Sequence, residues 1–173
     1  MKTFAHFRHI LCSVVGIFSL AAGAGAADIT SADQSFVKQT YETGLAEVRM
    51  GELGQNKTAN SDVKAFAARL VADHGKASAE LKTLAETKGL SLPSSPSLAA
   101  QGHARMLDMK AGADFDKAFT AHTVSGFEKT VAAFEKAGSE TKDTDIRAFI
   151  TKTLPTLKEH LTMAQTLQAK VGK

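Results

Sequence analysis

The residues best suited to chemistry are two histidines that are predicted to face the interior of a helical protein. Along one predicted helix, at about 100° per residue, His74 falls between Ala67 and Leu81 on the apolar face. His160 falls on the apolar face of a second predicted helix. A buried imidazole needs either a hydrogen-bond partner or a metal ion, because unpaired buried polar atoms cost free energy. The two positions therefore predict either a polar core contact or a metal site.

An adjacent helix offers partners for His74. In an antiparallel hairpin centred near residue 59, position 44 faces position 74, so that Gly44 leaves room for the ring. Glu47 lies about 4.5 Å farther along that helix axis, and Tyr41 is similarly close on the other side. Two interpretations stay open. Either His74 is a neutral core histidine that hydrogen-bonds to Glu47, Tyr41 or water, or it binds a transition metal together with Glu47.

The metal interpretation names His74 and Glu47 as ligands, His160 as a third candidate, and iron, manganese or zinc as the ion. Two observations count against a dinuclear site and against His160 as a shared ligand. Dinuclear helical bundles carry Glu-x-x-His on two helices, whereas Val71 and Leu157 stand three residues before the two histidines. Helix lengths also place His74 and His160 about 14 Å apart, too far to share one ion. We therefore expect no di-iron oxidase activity. A protein without a cofactor is the main expectation, and a mononuclear site at His74 with Glu47 is the alternative.

The remaining chemistry-bearing residues do not form a recognisable catalytic set. His103 falls in a connection between helices, and His122 falls about 100° from the centre of an apolar stripe, so both are predicted to be solvated. Neither Ser61 nor Ser78 comes with a base and an orienting acid, and the sequence has no glycine-rich phosphate loop. No catalytic residue is predicted, and the protein is not expected to be an enzyme.

Apolar periodicity, together with start and stop signals, predicts four long helices, A to D, and one short helix between B and C. The helices are predicted over residues 31 to about 56, 61 to 88, 97 to about 109, 113 to about 139, and from 144 onward. A Ser-x-x-Gln capping box at residues 31–34 marks the start of helix A. Pro155 falls opposite the apolar stripe of helix D and predicts a kink without a break.

An internal repeat relates helices A and B to helices C and D at an offset of 83 residues. In this register residues 63–66 align with residues 146–149, and Phe36 aligns with Phe119. Two hairpins joined by a crossover of about 24 residues have the ferritin-like topology. The sequence thus predicts an all-α, ferritin-like four-helix bundle with a short extra helix in the crossover. Its expected core contains Phe36, Val48, Phe66, Leu70, Leu81, Phe119, Phe127, Phe149, Leu157 and Leu161.

Residues 1–27 are typical of a secretory signal peptide. Lys2 and Arg8 precede an apolar stretch over residues 10–20, and a run of alanine and glycine follows it. The apolar stretch is about half of the roughly 20 residues that a membrane-spanning helix needs. An uncleaved N-terminal anchor is the alternative to a cleaved leader.

Cleavage is expected after Ala26 or Ala27, with export to a bacterial periplasm. The lone cysteine, Cys12, leaves with the leader. A mature chain without cysteine suits an oxidising compartment, where an unpaired thiol is a liability. No transmembrane segment is predicted in the mature chain.

The mature chain, residues 28–173, is expected to form a single domain, because 146 residues are enough to build one hydrophobic core. The formal net charge of +3 falls to +1 when Lys2 and Arg8 are removed. Charges of both signs are scattered along the chain, so no basic surface for a phosphate backbone is predicted. With no tryptophan and one tyrosine, stacking platforms for single strands are also missing. Nucleic acid is therefore not an expected partner.

Three short segments resemble a known family. They are Phe66-Ala67 with Val71-Ala72-Asp73-His74 in helix B, Gly112-Ala113-Asp114-Phe115-Asp116 at the start of helix C, and Lys158-Glu159-His160-Leu161 in helix D. The combination resembles the exported bacterial family catalogued as domain of unknown function four-one-four-two. That family is assigned to the ferritin-like superfamily and is often labelled a membrane protein because of its leader. The resemblance covers nearly the whole mature chain, and it implies a four-helix fold without an established activity.

This chain departs from the family at one position of interest. The family usually has a histidine in the middle of helix C, where this chain has Phe127. The departure weakens the case for a shared histidine site.

We predict an exported, non-enzymatic binding module of the cell envelope, with a stress-related or chaperone-like role and an unknown protein or envelope partner. The alternative is a protein that binds or sequesters a transition metal through His74 and Glu47. A metal that binds only the native state must raise the thermal midpoint, which separates the two hypotheses.

Overall fold

The computed structural model describes residues 29–172, which contain five α-helices and no strand. The helices are α1 (Ser31–Lys57), α2 (Ser61–Thr87), α3 (Leu98–Asp108), α4 (Gly112–Glu140) and α5 (Thr144–Val171). The predicted all-helical class is confirmed for this range, and each of the five expected helices is present. The predicted signal peptide, its cleavage site and Cys12 lie outside the described residues.

The helices start where side chains can accept backbone N–H groups. Asn60, Ser97 and Asp143 precede α2, α3 and α5, and each accepts a hydrogen bond from an N–H two or three residues later. At α1 the predicted cap is wrong by one residue. The N-cap is Thr30, whose hydroxyl accepts the N–H three residues later, and Ser31 is already helical.

The two hairpins, α1 with α2 and α4 with α5, lie side by side, so that α2 neighbours α5 and α1 neighbours α4. Lys88 at the end of α2 forms ion pairs of 2.6 Å with Asp143 and 2.9 Å with Asp145 at the start of α5. At the other end of the bundle, the Thr58 hydroxyl donates to Asp116 in α4 at 2.6 Å. The connection that contains α3 therefore travels the length of the bundle, and α2 and α5 run antiparallel.

The internal repeat is visible in the two hairpin turns. Thr58 and Thr141, which are 83 residues apart, are buried residues that end α1 and α4. Their hydroxyls accept the N–H groups of Asn60 and Asp143, at 3.0 Å and 3.2 Å. Equivalent residues thus build equivalent turns, which supports the offset of 83 as a structural repeat.

The core consists of the inward faces of the four long helices. Seven of the ten predicted core residues are buried, and Phe36 and Leu161 are half-buried against the same cluster. The tenth, Val48, is half-buried. The amphipathic periodicity therefore identified the inner faces correctly. It was less reliable at the edges of each face, where a side chain packs on the core but keeps part of its surface exposed.

Helix α5 continues through Pro155, as predicted, and the proline is exposed. Helix α4 extends to Glu140, beyond the predicted stop at residues 137–139, with Gly138 close to Ile150 of α5. None of the helices formed by residues 29–172 is both long and apolar enough to cross a membrane.

Helices α1 and α2 approach closely because α1 presents glycines to its neighbour. A Cβ atom at Gly51 would lie 2.7 Å from the backbone oxygen of Ala67 and 2.7 Å from a methyl group of Val71. At Gly54 it would lie 2.7 Å from the Ala67 side chain. All three distances are shorter than real Cβ contacts, so these positions require the absence of a side chain.

Gly51→Ala is therefore expected to lower the free energy of unfolding by about 1–3 kcal/mol, as over-packing does in other cores. The matched control is Gly75→Ala in α2, where an added Cβ meets nothing within 4 Å. That variant should be stabilised by about 0.5–1 kcal/mol, since alanine is the better helix former. Urea unfolding of both variants measures the two signs, and equal behaviour would contradict the close approach of α1 and α2.

Candidate functional site

The structure brings His74 of α2 and His160 of α5 together in the core. Their ring centroids are 5.3 Å apart, and both residues are buried. The predicted separation of about 14 Å is wrong, because it measured the heights of the two histidines from opposite ends of the bundle. The end of α2 and the start of α5 lie at the same end, where Lys88 contacts Asp143. Measured from the level shared by Lys88 and Asp143, the two histidines differ in height by only about 5 Å.

His160 is fixed by a carboxylate on the neighbouring helix. Its Nε2 lies 2.9 Å from Oδ2 of Asp73, which also contacts Arg69 at 3.2 Å. Partial burial raises the pKa of Asp73, but hydrogen bonds from His160 and Arg69 outweigh this and hold the pKa below its ordinary value. An ionised carboxylate only accepts hydrogen bonds, so Nε2 of His160 carries the proton. The other ring nitrogen, Nδ1, then has a free lone pair.

The Nδ1 atom of His160 is buried and has no hydrogen-bond partner among the described residues. Burial lowers the pKa of His160, although Asp73 opposes the shift, so the ring is neutral at pH 7. A neutral imidazole with one nitrogen held by a carboxylate and the other free is the form in which histidine binds transition metals.

His74 lies next to this ring and is stacked on Phe127 of α4, with centroids 5.7 Å apart and an interplanar angle of 24°. Burial, followed by the charge of His160, lowers the pKa of His74 to about 4. The ring is therefore neutral at pH 7. Its Nε2 is buried without a hydrogen-bond partner in the described structure, so neither Glu47 nor Tyr41 satisfies that nitrogen as predicted.

Glu47 of α1 is the third buried polar residue at this level of the bundle. Gly44 faces Ser78, and not residue 74 as predicted. Because α1 and α2 run antiparallel, Glu47, about one turn after Gly44, lies level with His74, about one turn before Ser78. Burial alone raises the pKa of Glu47 to about 7. Its Oε2 has no partner within residues 29–172. The side chain reaches across to α4, since its Oε1 would lie 3.6 Å from a Cβ at Gly126.

The three unpaired buried side-chain atoms found within residues 29–172 are therefore Oε2 of Glu47, Nε2 of His74 and Nδ1 of His160. They belong to the three residues named from the sequence as candidate ligands. In the same range no three potential ligands converge closely enough to enclose an ion as they stand. The side chains would have to rotate for the three atoms to share one partner.

A cavity of about 130 Å³ between α2 and α5 reaches the two histidines of this cluster. Asp73, His74 and His160 line its inner end, and Glu80 and Lys152 line the outer part and form an ion pair of 2.7 Å. Solvent or an ion therefore has a route to the histidines.

The role of Asp73 was missed by sequence reasoning. Asp73 precedes the inward-facing His74 and so points toward α5 at the edge of the inner face. The signal that could have identified it is the Arg69 and Asp73 pair four residues apart, which orients the carboxylate on α2. Without the register of α5, that pair reads as an ordinary surface contact.

The other two histidines form a separate pair on the outside of the bundle. His103 of α3 and His122 of α4 have ring centroids 5.4 Å apart. His103 is exposed as predicted. His122 is half-buried, so the prediction that it is solvated is wrong. Burial, His103 and Lys129 lower the pKa of His122. The crossover helix covers this part of α4, which periodicity along α4 alone does not reveal.

Comparisons with known proteins agree with the fold and show the family. No curated protein matches the chain in sequence. Among solved structures, the chain is similar to a "putative spore coat protein" from Bacillus halodurans C-125, with a TM-score of 0.65 and 12% identity. The match covers 83% of this chain and 90% of that one, so the two share a helical fold. A sequence profile matches residues 19–167, and the chain therefore belongs to the family described as domain of unknown function (DUF4142).

Proposed function

We propose that this protein is an exported, ferritin-like helical bundle that binds one transition-metal ion through Glu47, His74 and His160. The observation that carries the proposal is the set of three unpaired atoms, one carboxylate oxygen and two imidazole nitrogens, buried at one level of the core. Two imidazoles and a carboxylate suit iron, zinc or manganese. Export to the periplasm is proposed from the leader sequence.

The protonation states of the three donor groups suit a metal ion. Both histidines are neutral at pH 7, because burial lowers the pKa of each. The Asp73 carboxylate behind His160 provides the outer contact that commonly orients a ligating imidazole. Glu47 must lose its proton to bind, and its pKa, raised to about 7 by burial, allows this near neutral pH.

The internal repeat favours a mononuclear site. At the offset of 83 residues, Glu47 corresponds to Thr130 and His74 corresponds to Leu157, so the second hairpin does not supply a matching set of ligands. A dinuclear centre built from two Glu-x-x-His helices is therefore not supported.

A second candidate function is a surface-binding module of the cell envelope, which is supported by exposed apolar residues in α3 and directly after it. Leu98, Met106 and Met109 have 86%, 60% and 81% of their surface exposed. This function would depend on the outer face of the crossover helix and would be independent of the buried histidines.

The metal proposal is tested in a His103→Asn/His122→Asn background, since that surface pair can bind metals on its own. In this background Zn²⁺, Mn²⁺ or anaerobic Fe²⁺ should raise the thermal midpoint, with about 2.7 kcal/mol of stabilisation at a hundredfold excess over Kd. His74→Leu should abolish the shift while leaving the metal-free protein equally or more stable. Asp73→Asn should weaken binding about 10- to 100-fold.

Metal analysis of protein purified without an affinity tag measures the stoichiometry in the same variants. A metal-dependent shift that persists in His74→Leu would place the ion elsewhere. If the His103→Asn/His122→Asn protein binds less than about a tenth of an equivalent of metal, the proposal is wrong. The two buried histidines are then core residues hydrated by an internal water.

A further inference from the structure

The core also contains a cavity of about 210 Å³, which adjoins the cavity between α2 and α5 at His74, Ala77, Thr153 and Leu157 and is not lined by His160. All four long helices contribute to its walls. The inner part is apolar and is lined by Phe36, Leu81, Phe134, Phe149 and Leu157. The outer part lies between α1 and α4 and carries hydroxyl groups, among them those of Thr40, Thr43 and Thr130.

The internal repeat explains why this space is open. The cavity occupies the position in the bundle that is equivalent, at the offset of 83 residues, to the cluster of Glu47 and the two histidines. Three of the four large residues of that cluster have smaller counterparts here, and the fourth has an apolar one. His160 corresponds to Ala77, Phe127 to Gly44, Glu47 to Thr130, and His74 to Leu157. Each of these four counterparts lines the cavity.

The charge at the mouth of the cavity comes from a lysine. Lys129 is the one charged side chain among the residues that line it, and no carboxylate lines it. The Lys129 ammonium is exposed at the surface of α4 beside the hydroxyl-bearing residues. A ligand with an apolar body and a single negative charge therefore matches both parts of the cavity.

The volume limits the size of the apolar body. An engineered core cavity of about 150 Å³ is large enough for benzene, whereas drug-sized ligands occupy about 300–1,000 Å³. A cavity of about 210 Å³ thus accepts one aromatic ring with a short side chain or an alkyl chain of similar volume.

We infer that this cavity binds a small amphipathic monocarboxylate, with its ring or alkyl chain among the phenylalanine and leucine side chains and its carboxylate beside Lys129. The site uses residues other than the proposed metal ligands, apart from the edge of His74 that forms part of the wall. The inference therefore goes beyond the proposed metal function and does not depend on it.

The first test measures charge selectivity by calorimetry at pH 7.5 and low salt, in the presence of a chelator. Phenylacetate is the probe, and phenylacetamide and phenethylamine are its neutral and cationic analogues. The acid should bind saturably and about fivefold more tightly than either analogue, the size expected for one partly exposed charge contact. Lys129→Gln should reduce the affinity for the acid to that of the amide. Lys136→Gln, an exposed lysine of α4 outside the cavity, should leave it unchanged.

The second test fills the cavity. Ala77→Leu places a larger side chain in the space and should abolish binding of all three compounds, whereas Ala72→Leu, at an exposed position of the same helix, should not. Circular dichroism measures whether both variants are folded. If Ala77→Leu does not fold, the comparison of Lys129→Gln with the wild type still tests the inference. The inference is overturned if phenylacetate does not bind saturably, if folded Ala77→Leu binds it normally, or if Lys129→Gln retains the preference for the acid.

Discussion

In the presence of a chelator, Glu47→Gln should raise the free energy of unfolding at pH 8 by about 3 kcal/mol relative to the wild type. Burial raises the pKa of Glu47 from 4.5 to about 7, and no nearby charge lowers it again. The difference between the two values corresponds to about 3 kcal/mol of penalty for the ionised form. Glutamine has nearly the same shape as the protonated carboxyl group and does not ionise, so it avoids that penalty.

The sign of the pH dependence follows from proton binding. Between about pH 4.5 and pH 7 the folded protein keeps the proton on Glu47, while the unfolded chain has lost it, because the folded pKa is the higher one. The contribution of Glu47 to stability is therefore greatest below pH 4.5 and is lost as the pH rises to about 7. Above pH 7 the wild type carries the full penalty, and Glu47→Gln does not.

His74 acts in the opposite direction over a neighbouring range. Its pKa falls from 6.5 to about 4 on folding, so the unfolded chain binds more protons between those values and stability rises with pH there. The two effects partly cancel between about pH 4.5 and pH 6.5 in the wild type. The difference in the free energy of unfolding between Glu47→Gln and the wild type cancels the contribution of His74. This difference is therefore the quantity to measure.

Urea unfolding at intervals from pH 5 to pH 8.5 gives that difference, with Glu52→Gln as the matched control. Glu52 is exposed on the same helix, and its substitution should change stability little at any pH. If the free energies of unfolding of Glu47→Gln and the wild type run parallel over the whole pH range, a partner holds the Glu47 carboxylate in its charged form. The description of Oε2 as an unpaired atom would then be wrong. Added Zn²⁺ should reverse the order at pH 8, since only the wild type supplies an anionic ligand.

The sequence predicted the helices well because their boundaries depend on local interactions. Asn60 and Asp143 cap their helices through their own side chains, and these signals lie within a few residues of the structure they determine. The inward orientation of His74 and His160 was likewise confirmed, because a helical face follows from spacing along one helix.

The site could be predicted only in part because it depends on how one helix is shifted along another. Periodicity fixes the face of the helix on which His160 lies but not the height of His160 relative to His74. That height is set by the ion pairs of Lys88, which join residues more than 50 positions apart in the sequence. Measuring the two heights from opposite ends of the bundle turned two adjacent rings into two distant ones. The missing register between α2 and α5 also concealed the role of Asp73 and the cavity at the repeat-related position.

The second large effect is expected at Phe127 in α4. This ring is fully buried, stacks on His74, and lies 5.4 Å from the ring of His160. Phe127→His would place a third imidazole beside the two that are already present. In a chelator, the variant should be less stable than the wild type by about 1–3 kcal/mol, since another buried polar group would lack a partner.

Metal should reverse this loss if the three unpaired atoms form a binding site. A third nitrogen ligand adds a bond that exists only in the metal-bound state, so Phe127→His should bind Zn²⁺ at least about tenfold more tightly, equivalent to about 1.4 kcal/mol. Its thermal midpoint should rise more than that of the wild type as Zn²⁺ is added. Both measurements use the background without the surface histidine pair.

Phe115→His is the matched control, because Phe115 is also fully buried in α4 but stacks on Phe119, away from the histidines. It should be destabilised to a similar extent and gain nothing from Zn²⁺. If Phe127→His and Phe115→His respond alike to the metal, then adding a ligand at this level of the core has no effect on binding. The two histidines and Glu47 would then be a hydrated polar cluster that holds no metal.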